Sequence, residues 1–128
     1  MMEARKTANA LIRSTMLGIN DRGNLTFLLI LDYGDSEQAA GTYSLDEWLG
    51  DKEADPPFDR RGCKFGAELI RRILWTLEVD NWEDLRGKLI QAQRTHTKVH
   101  AIGNWNGQRW LDFEEFFKEM EKIGYVEL

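Results

Sequence analysis

The sequence predicts an α+β fold: an antiparallel β-sheet or an OB-like partly closed barrel, with a three-strand meander, a helix, further strands and a C-terminal helix. Three observations carry this. Short apolar stretches between residues 11 and 45 are separated by turn residues. Residues 63–77 repeat their apolar side chains at helical spacing. A capping-box pattern at Asp112 opens a second helical stripe. Element order alone fits the barrel and the open sheet equally.

Taken in order, residues 1–9 are polar and are expected to fray. Leu11 to Ile19 reads as a strand, with Leu11, Arg13, Thr15, Leu17 and Ile19 on one face and Ile12, Ser14 and Met16 on the other. Asn20-Asp21-Arg22-Gly23 turns the chain, because Asn, Asp and Gly tolerate the backbone angles a tight turn needs. Leu25 to Tyr33 is a near-continuous apolar run, which predicts a central strand buried on both faces. Gly34-Asp35-Ser36 is a second turn, and Ala40 to Leu45 a third strand. Residues 47–62 carry Gly50, Pro56, Pro57 and many charges without period, and are expected to form a long exposed loop.

Cys63 to Leu77 is a helix with a stripe of Phe65, Leu69, Ile70, Ile73, Leu74 and Leu77. Asn81 is the expected N-cap of a short helical turn, Trp82 to Leu85. Lys88 to Thr95 and Lys98 to Trp105 read as strands. Asn106-Gly107 signals a type I′ hairpin, and Gln108 to Leu111 returns. The last helix runs from Asp112, presents Phe113, Phe116, Phe117, Met120 and Ile123, and closes at Gly124. All of this fits one domain of 128 residues, 1–128.

Composition bounds the function. One cysteine, Cys63, leaves no intrachain disulfide, and no apolar run approaches a membrane-spanning length. The charged N-terminus is followed by no apolar signal core, so the expected location is the cytoplasm, that of a host cell if the chain comes from a mobile element. A net charge of −5 argues against non-specific attraction to phosphates. That charge is unevenly placed: residues 32–59 hold nine acids and one lysine, whereas residues 86–109 hold five bases and no acid.

The chemistry-bearing residues are few. His96 and His100 are four apart, but the local sequence reads as turn and strand and offers no third ligand, so no metal is expected. Asp32, Asp35 and Glu37 surround Gly34 without calcium-loop spacing and read as turn residues. Cys63 sits beside Arg60, Arg61 and Lys64 at a helix start, which lowers a thiol pKa, but no base accompanies it. Neither a nucleophile elbow nor a phosphate loop occurs, so no catalytic residue and no cofactor is expected, and the chain reads as a non-enzyme. Two binding faces remain as candidates. One is basic and aromatic: Lys88, Arg94, Lys98, Trp105, Arg109 and Trp110. The other is the acidic loop: Asp46, Glu47, Asp51, Glu53, Asp55 and Asp59. Each also reads as an ordinary solvated surface, with tryptophans serving the core.

One further pattern runs through residues 12–104: Ile12-Arg13-Ser14-Thr15-Met16-Leu17-Gly18-Ile19-Asn20-Asp21, Leu25-Thr26-Phe27, Leu31-Asp32-Tyr33-Gly34 and Tyr43-Ser44-Leu45-Asp46. It continues through Val79-Asp80-Asn81-Trp82-Glu83-Asp84-Leu85, Gly87-Lys88 and Ala101-Ile102-Gly103-Asn104. In these residues the chain resembles a family of small phage and prophage proteins. The resemblance implies a mobile-element origin and carries no chemistry. The expectation is a non-catalytic protein that binds a host or phage protein complex, such as a nucleic-acid-directed defence complex of the CRISPR type that it would inhibit. The alternative is an OB-like protein that binds single-stranded DNA in phage replication.

Overall fold

The computed structural model describes residues 3–50, 55 and 58–125. Strands β1 (Lys6–Ile19), β2 (Leu25–Asp32) and β3 (Glu37–Ser44) form the expected antiparallel meander. Strand β1 starts earlier than its polar sequence suggests. Thr7 pairs with Gln93 and Asn9 with Gln91 on β6 (Leu89–Arg94), so residues 6–9 belong to the sheet rather than to a frayed end. Ladder partners satisfy their backbone groups, a gain that side-chain polarity does not advertise.

The 14 residues of β1 divide their pairing. Lys6 to Leu11 bond to β6, and Leu11 to Ile19 bond to β2. The register slips between Ile12 and Ser14, a β-bulge that bends the strand from one neighbour to the other. The slip also breaks the expected alternation. Ile12 lies opposite Leu31 and Thr15 opposite Leu29, both core residues, so Ile12 and Thr15 share a face. On β2, Phe27, Leu29 and Leu31 are buried, while Leu28 and Ile30 are only partly covered. The expectation of a strand buried on both faces is thus corrected: its continuous apolar run serves one core face and one half-open face.

The main sheet runs β3-β2-β1-β6-β7-β8, with β7 at Val99–Gly103 and β8 at Trp110–Asp112, and every neighbouring pair is antiparallel. It is six-stranded and not closed, consistent with a partly closed OB-like form. At its mouth, Gln38 on β3 donates through Nε2 to the Thr95 carbonyl (3.1 Å) and accepts through Oε1 from Arg94 Nε (3.0 Å).

Helix α1 (Lys64–Thr76) and helix α2 (Phe113–Lys122) press their stripes into one core. Leu69, Ile73 and Leu77 come from the first, Phe113, Phe116 and Met120 from the second, and Phe27, Leu29, Leu31 and Ile90 from the sheet. Tyr43 bridges the layers, with ring centroids 5.1 Å from both Phe113 and Phe117. Asp112 caps α2 as expected, Oδ1 accepting from the Glu115 amide at 3.1 Å, and Gly124 follows the helix at φ 79°. Ile123 is exposed and adds nothing to the core. Asn81 occupies the N-cap of the 3-10 turn Trp82–Leu85 without capping it through its side chain.

Two local expectations change. The predicted loop 47–62 begins and ends in a ribbon, β4 (Asp46–Trp48) against β5 (Arg60–Gly62), and residues 51–54, 56 and 57 lie outside the described residues. The Asn106-Gly107 turn is not type I′, because only Gly107 takes positive φ, at 72°. Asn104 explains the difference: it is buried, and its Oδ1 accepts from the amides of Gln108 and Arg109, both at 3.0 Å. Those bonds hold a wider loop than a two-residue turn permits.

Candidate docking groove

Helix α1 has a second stripe besides its core one. Glu68, Arg71, Arg72 and Trp75 stand at i, i+3, i+4 and i+7, so they share one face. On α2 and its cap, Asp112, Glu115 and Glu119 do the same. These two polar stripes face each other across β8 and line a groove of about 540 Å³.

Arg72 ties the walls together. It donates to both carboxylate oxygens of Glu119 (2.6 and 3.1 Å) and through Nε to Glu68 (3.0 Å). The Arg72 bond holds the Glu119 carboxyl below its usual range, and Glu119 in turn raises the already high pKa of Arg72. Burial pushes the Asp112 carboxyl up, but the Arg5 hydrogen bond (2.6 Å), the Glu115 amide and the charge of Arg5 outweigh it, leaving it below normal.

Trp75 sits at the end of the groove and is 60% exposed, unusual for an indole of a folded chain. Arg109 lies over one side of its ring, 4.3 Å from the centroid, and donates to the Trp75 carbonyl at 2.8 Å. A cation at the last carbonyls of a helix also complements the helix dipole. Trp110 supplies part of the wall. Its Nε1 donates to the Gly107 carbonyl at 2.8 Å, and its ring lies flat on Gly103, where a Cβ would come within 2.7 Å of the indole.

The basic–aromatic residues do not form one face. Arg94 and Lys98 stand at one end of the β6–β7 hairpin, and Lys88, Trp105, Arg109 and Trp110 at the other, separated by a strand of about 17 Å. Arg94 stacks on Tyr33 at 4.4 Å, and Lys98 faces Glu114 at 3.7 Å. Trp105 is half exposed on the outer face of the sheet beside Leu11 and Leu89. Only Arg109 and Trp110 reach the groove region.

The acidic loop is likewise divided. Asp46 is buried. It accepts from the Leu25 amide (3.0 Å) and from Arg60 (2.9 and 3.0 Å), which makes it a lock between β2 and the ribbon. Glu47 pairs with Arg61 at 2.8 Å. The backbone carbonyls of Asp55 and Asp59 accept from Phe58 and Leu49. Asp51 and Glu53 lie outside the described residues.

Other chemistry is modest. The Cys63 thiol donates to the Leu45 carbonyl at 3.2 Å, and burial raises its pKa, opposite to the lowering its basic neighbours suggested. His100 lies between Thr95 Oγ1 (3.1 Å) and Glu114 (3.3 Å) and ties the hairpin turn to α2. Asp32 accepts from the Gly34 amide at 2.8 Å, as a turn residue does. Among the described residues, no three His, Cys, Asp or Glu side chains are grouped to hold a metal, and no helix is long and apolar enough to cross a membrane.

Comparison with protein-family models, curated proteins and solved structures gave no match. The residues that sequence reasoning missed are Trp75 and Glu119, whereas Arg71 and Arg72 were legible as bases that could extend the basic–aromatic surface. A signal for Trp75 exists: it falls off the apolar stripe of its own helix, and an indole there has no core to enter.

Proposed function

We propose that this protein acts by docking to another macromolecule through the α1–α2 groove, without making or breaking a covalent bond. The observation that carries the reading is Trp75, 60% exposed at the end of the groove and braced by Arg109. Tryptophan and arginine are enriched among the few side chains that carry most interface energy, and an exposed indole beside a concavity is available to fill a partner's pocket. Arg109 holds the indole in place before any partner arrives, which reduces the ordering cost of association.

The electrostatics favour a basic protein over a nucleic acid. Glu114, Glu115, Glu119 and Glu121 are all exposed on α2, where Lys118 and Lys122 are the only bases. Three cations of the basic–aromatic set are held by neighbouring side chains: Arg94 by Tyr33, Arg109 by Trp75 and Lys98 by Glu114. Complexes that handle nucleic acids present basic grooves, so the inhibition of a host defence complex remains the proposed setting.

The test is affinity capture from host cells with the native chain, Trp75→Ala and Trp105→Ala. A partner retained by the native chain and by Trp105→Ala, and lost with Trp75→Ala, supports the docking groove. Capture of chaperones alone, or equal capture by all three, removes it. Protection of an infecting phage from a CRISPR complex by the native chain, and not by Trp75→Ala, would identify the defence setting.

The second reading is a single-stranded DNA binder. It is supported by the OB-like sheet and by Trp105, which stands half exposed beside Asn9, Leu11 and Leu89 on the outer face. It requires Trp105 fluorescence to quench on titration with an oligonucleotide at low salt, with affinity falling steeply as salt rises. The groove reading predicts no such response.

A further inference from the structure

The groove is selective as well as concave, and the selectivity rests on the docking reading above. We propose that it takes an arginine side chain from a basic segment of a partner protein, stacked on the free side of the Trp75 indole and held by carboxylates of α2.

The chain already builds this chemistry twice with its own residues. Arg109 lies 4.3 Å over Trp75. Arg72 lies 5.4 Å over Phe116 while both its terminal nitrogens meet Glu119. Each site is a guanidinium on an aromatic face with an oxygen acceptor in plane, the arrangement that favours arginine over lysine. Arg109 lies over the Trp75 ring without lining the groove, whereas Trp75 does line it.

The acceptor for an incoming guanidinium is also present. Glu115 lies on the groove wall, its side chain 71% exposed and paired, among the described residues, with Lys118 at 3.5 Å. The groove lining carries Glu68, Asp112, Glu115 and Glu119 against Arg71 and Arg72. Arg72 already pairs with Glu68 and Glu119, and Arg5 with Asp112, which leaves Glu115 as the exposed carboxylate that a phosphate would meet unfavourably and an apolar side chain would desolvate without return. A cation that is also planar satisfies both the ring and the acids. The volume, about 540 Å³, accommodates such a side chain with its neighbours.

The experiment uses the full chain, labelled with nitrogen-15, and follows its five tryptophan indole N–H signals. The probes are nine-residue peptides alternating alanine with arginine, lysine or citrulline, capped at both ends, at physiological salt. The arginine peptide is expected to move the Trp75 and Trp110 signals and leave Trp105 in place. Lysine should bind about fivefold more weakly and citrulline weaker still. Trp75→Ala and Glu115→Lys should each weaken the arginine peptide by about tenfold. Trp75→Phe, which keeps a ring, should fall between native and alanine. No shift up to about 1 mM, equal response to lysine, or movement of Trp105 instead would overturn the proposal. If capture from cells depends on Trp75 while the arginine peptide does nothing, arginine selectivity fails and the docking groove survives. If both fail, both readings fall.

Discussion

At the scale of single residues, three side chains and one missing side chain do the most. Gly66 lets α1 lie directly on the carbonyl of Leu45: a Cβ there would sit 2.0 Å from that oxygen. The backbone cannot yield as a flexible side chain would, so Gly66→Ala is expected to destabilise the fold by about 3 kcal/mol or more, read from the urea midpoint. Helical alanine is otherwise the better residue, so a neutral result would mean that the close approach does not exist. Asp46 shows how a sequence-level charge can mislead. It belongs to the acidic run 32–59, yet burial and the Arg60 and Leu25 bonds make it a structural lock. Asp112 and Glu119 both have depressed pKa values through their arginine partners. A depressed carboxyl stabilises fully above its unfolded range, about 4 to 4.5, and loses that contribution as pH falls through the folded value. Stability should therefore hold from neutral pH down to about 5 and decline below. Asp112→Asn keeps an N-cap but cannot pair with Arg5 as an anion, so it should flatten part of that acid limb in urea melts taken from pH 6 to 2.5.

At the scale of elements, what was legible followed from periodicity and caps. Leu69, Ile73 and Leu77 announced α1, and Asp112 with Glu115 announced the start of α2. The meander was legible because Asn20 to Gly23 and Gly34 to Ser36 punctuate its apolar runs. What was hidden depends on tertiary partners. The polar start of β1 is a strand only because β6 lies beside it, and the bulge at Ile12/Ser14 cannot be read from alternation that it interrupts. The hairpin after β7 carried the Asn106-Gly107 signal, but buried Asn104 overrode the turn type through its own amide. Asn104→Ala would leave the Gln108 and Arg109 amides without that acceptor. It is expected to cost about 2 kcal/mol and to loosen Arg109, which shifts the indole signal of Trp75. An unchanged Trp75 signal would show that the loop holds Arg109 without Asn104.

At the scale of the whole molecule, the open OB-like sheet places its two surfaces differently. The outer face carries a small apolar cluster of Leu11, Leu89 and Trp105, while the helical side sets acid and aromatic side chains along one groove. The candidate site was half legible. Arg109 and Trp110 were named from sequence, but their partner Trp75 comes from a helix 34 residues away, and nothing in one-dimensional order joins them. Lys88, Arg94 and Lys98 were grouped with them by proximity in sequence, and the length of β7 separates Arg94 and Lys98 in space. The net charge of −5 comes mainly from residues 32–59, with nine acids and one lysine, and α2 adds four glutamates against two lysines; under the docking reading that acidity suits a basic protein better than a phosphate chain. The most direct measurement of this account is photocrosslinking in living cells, with a benzophenone amino acid replacing Arg71 in the groove or the exposed Leu17 near the end of β1. The account predicts one adduct of defined mass from position 71 and none from position 17. Adducts from position 17 alone, or from neither, would contradict it.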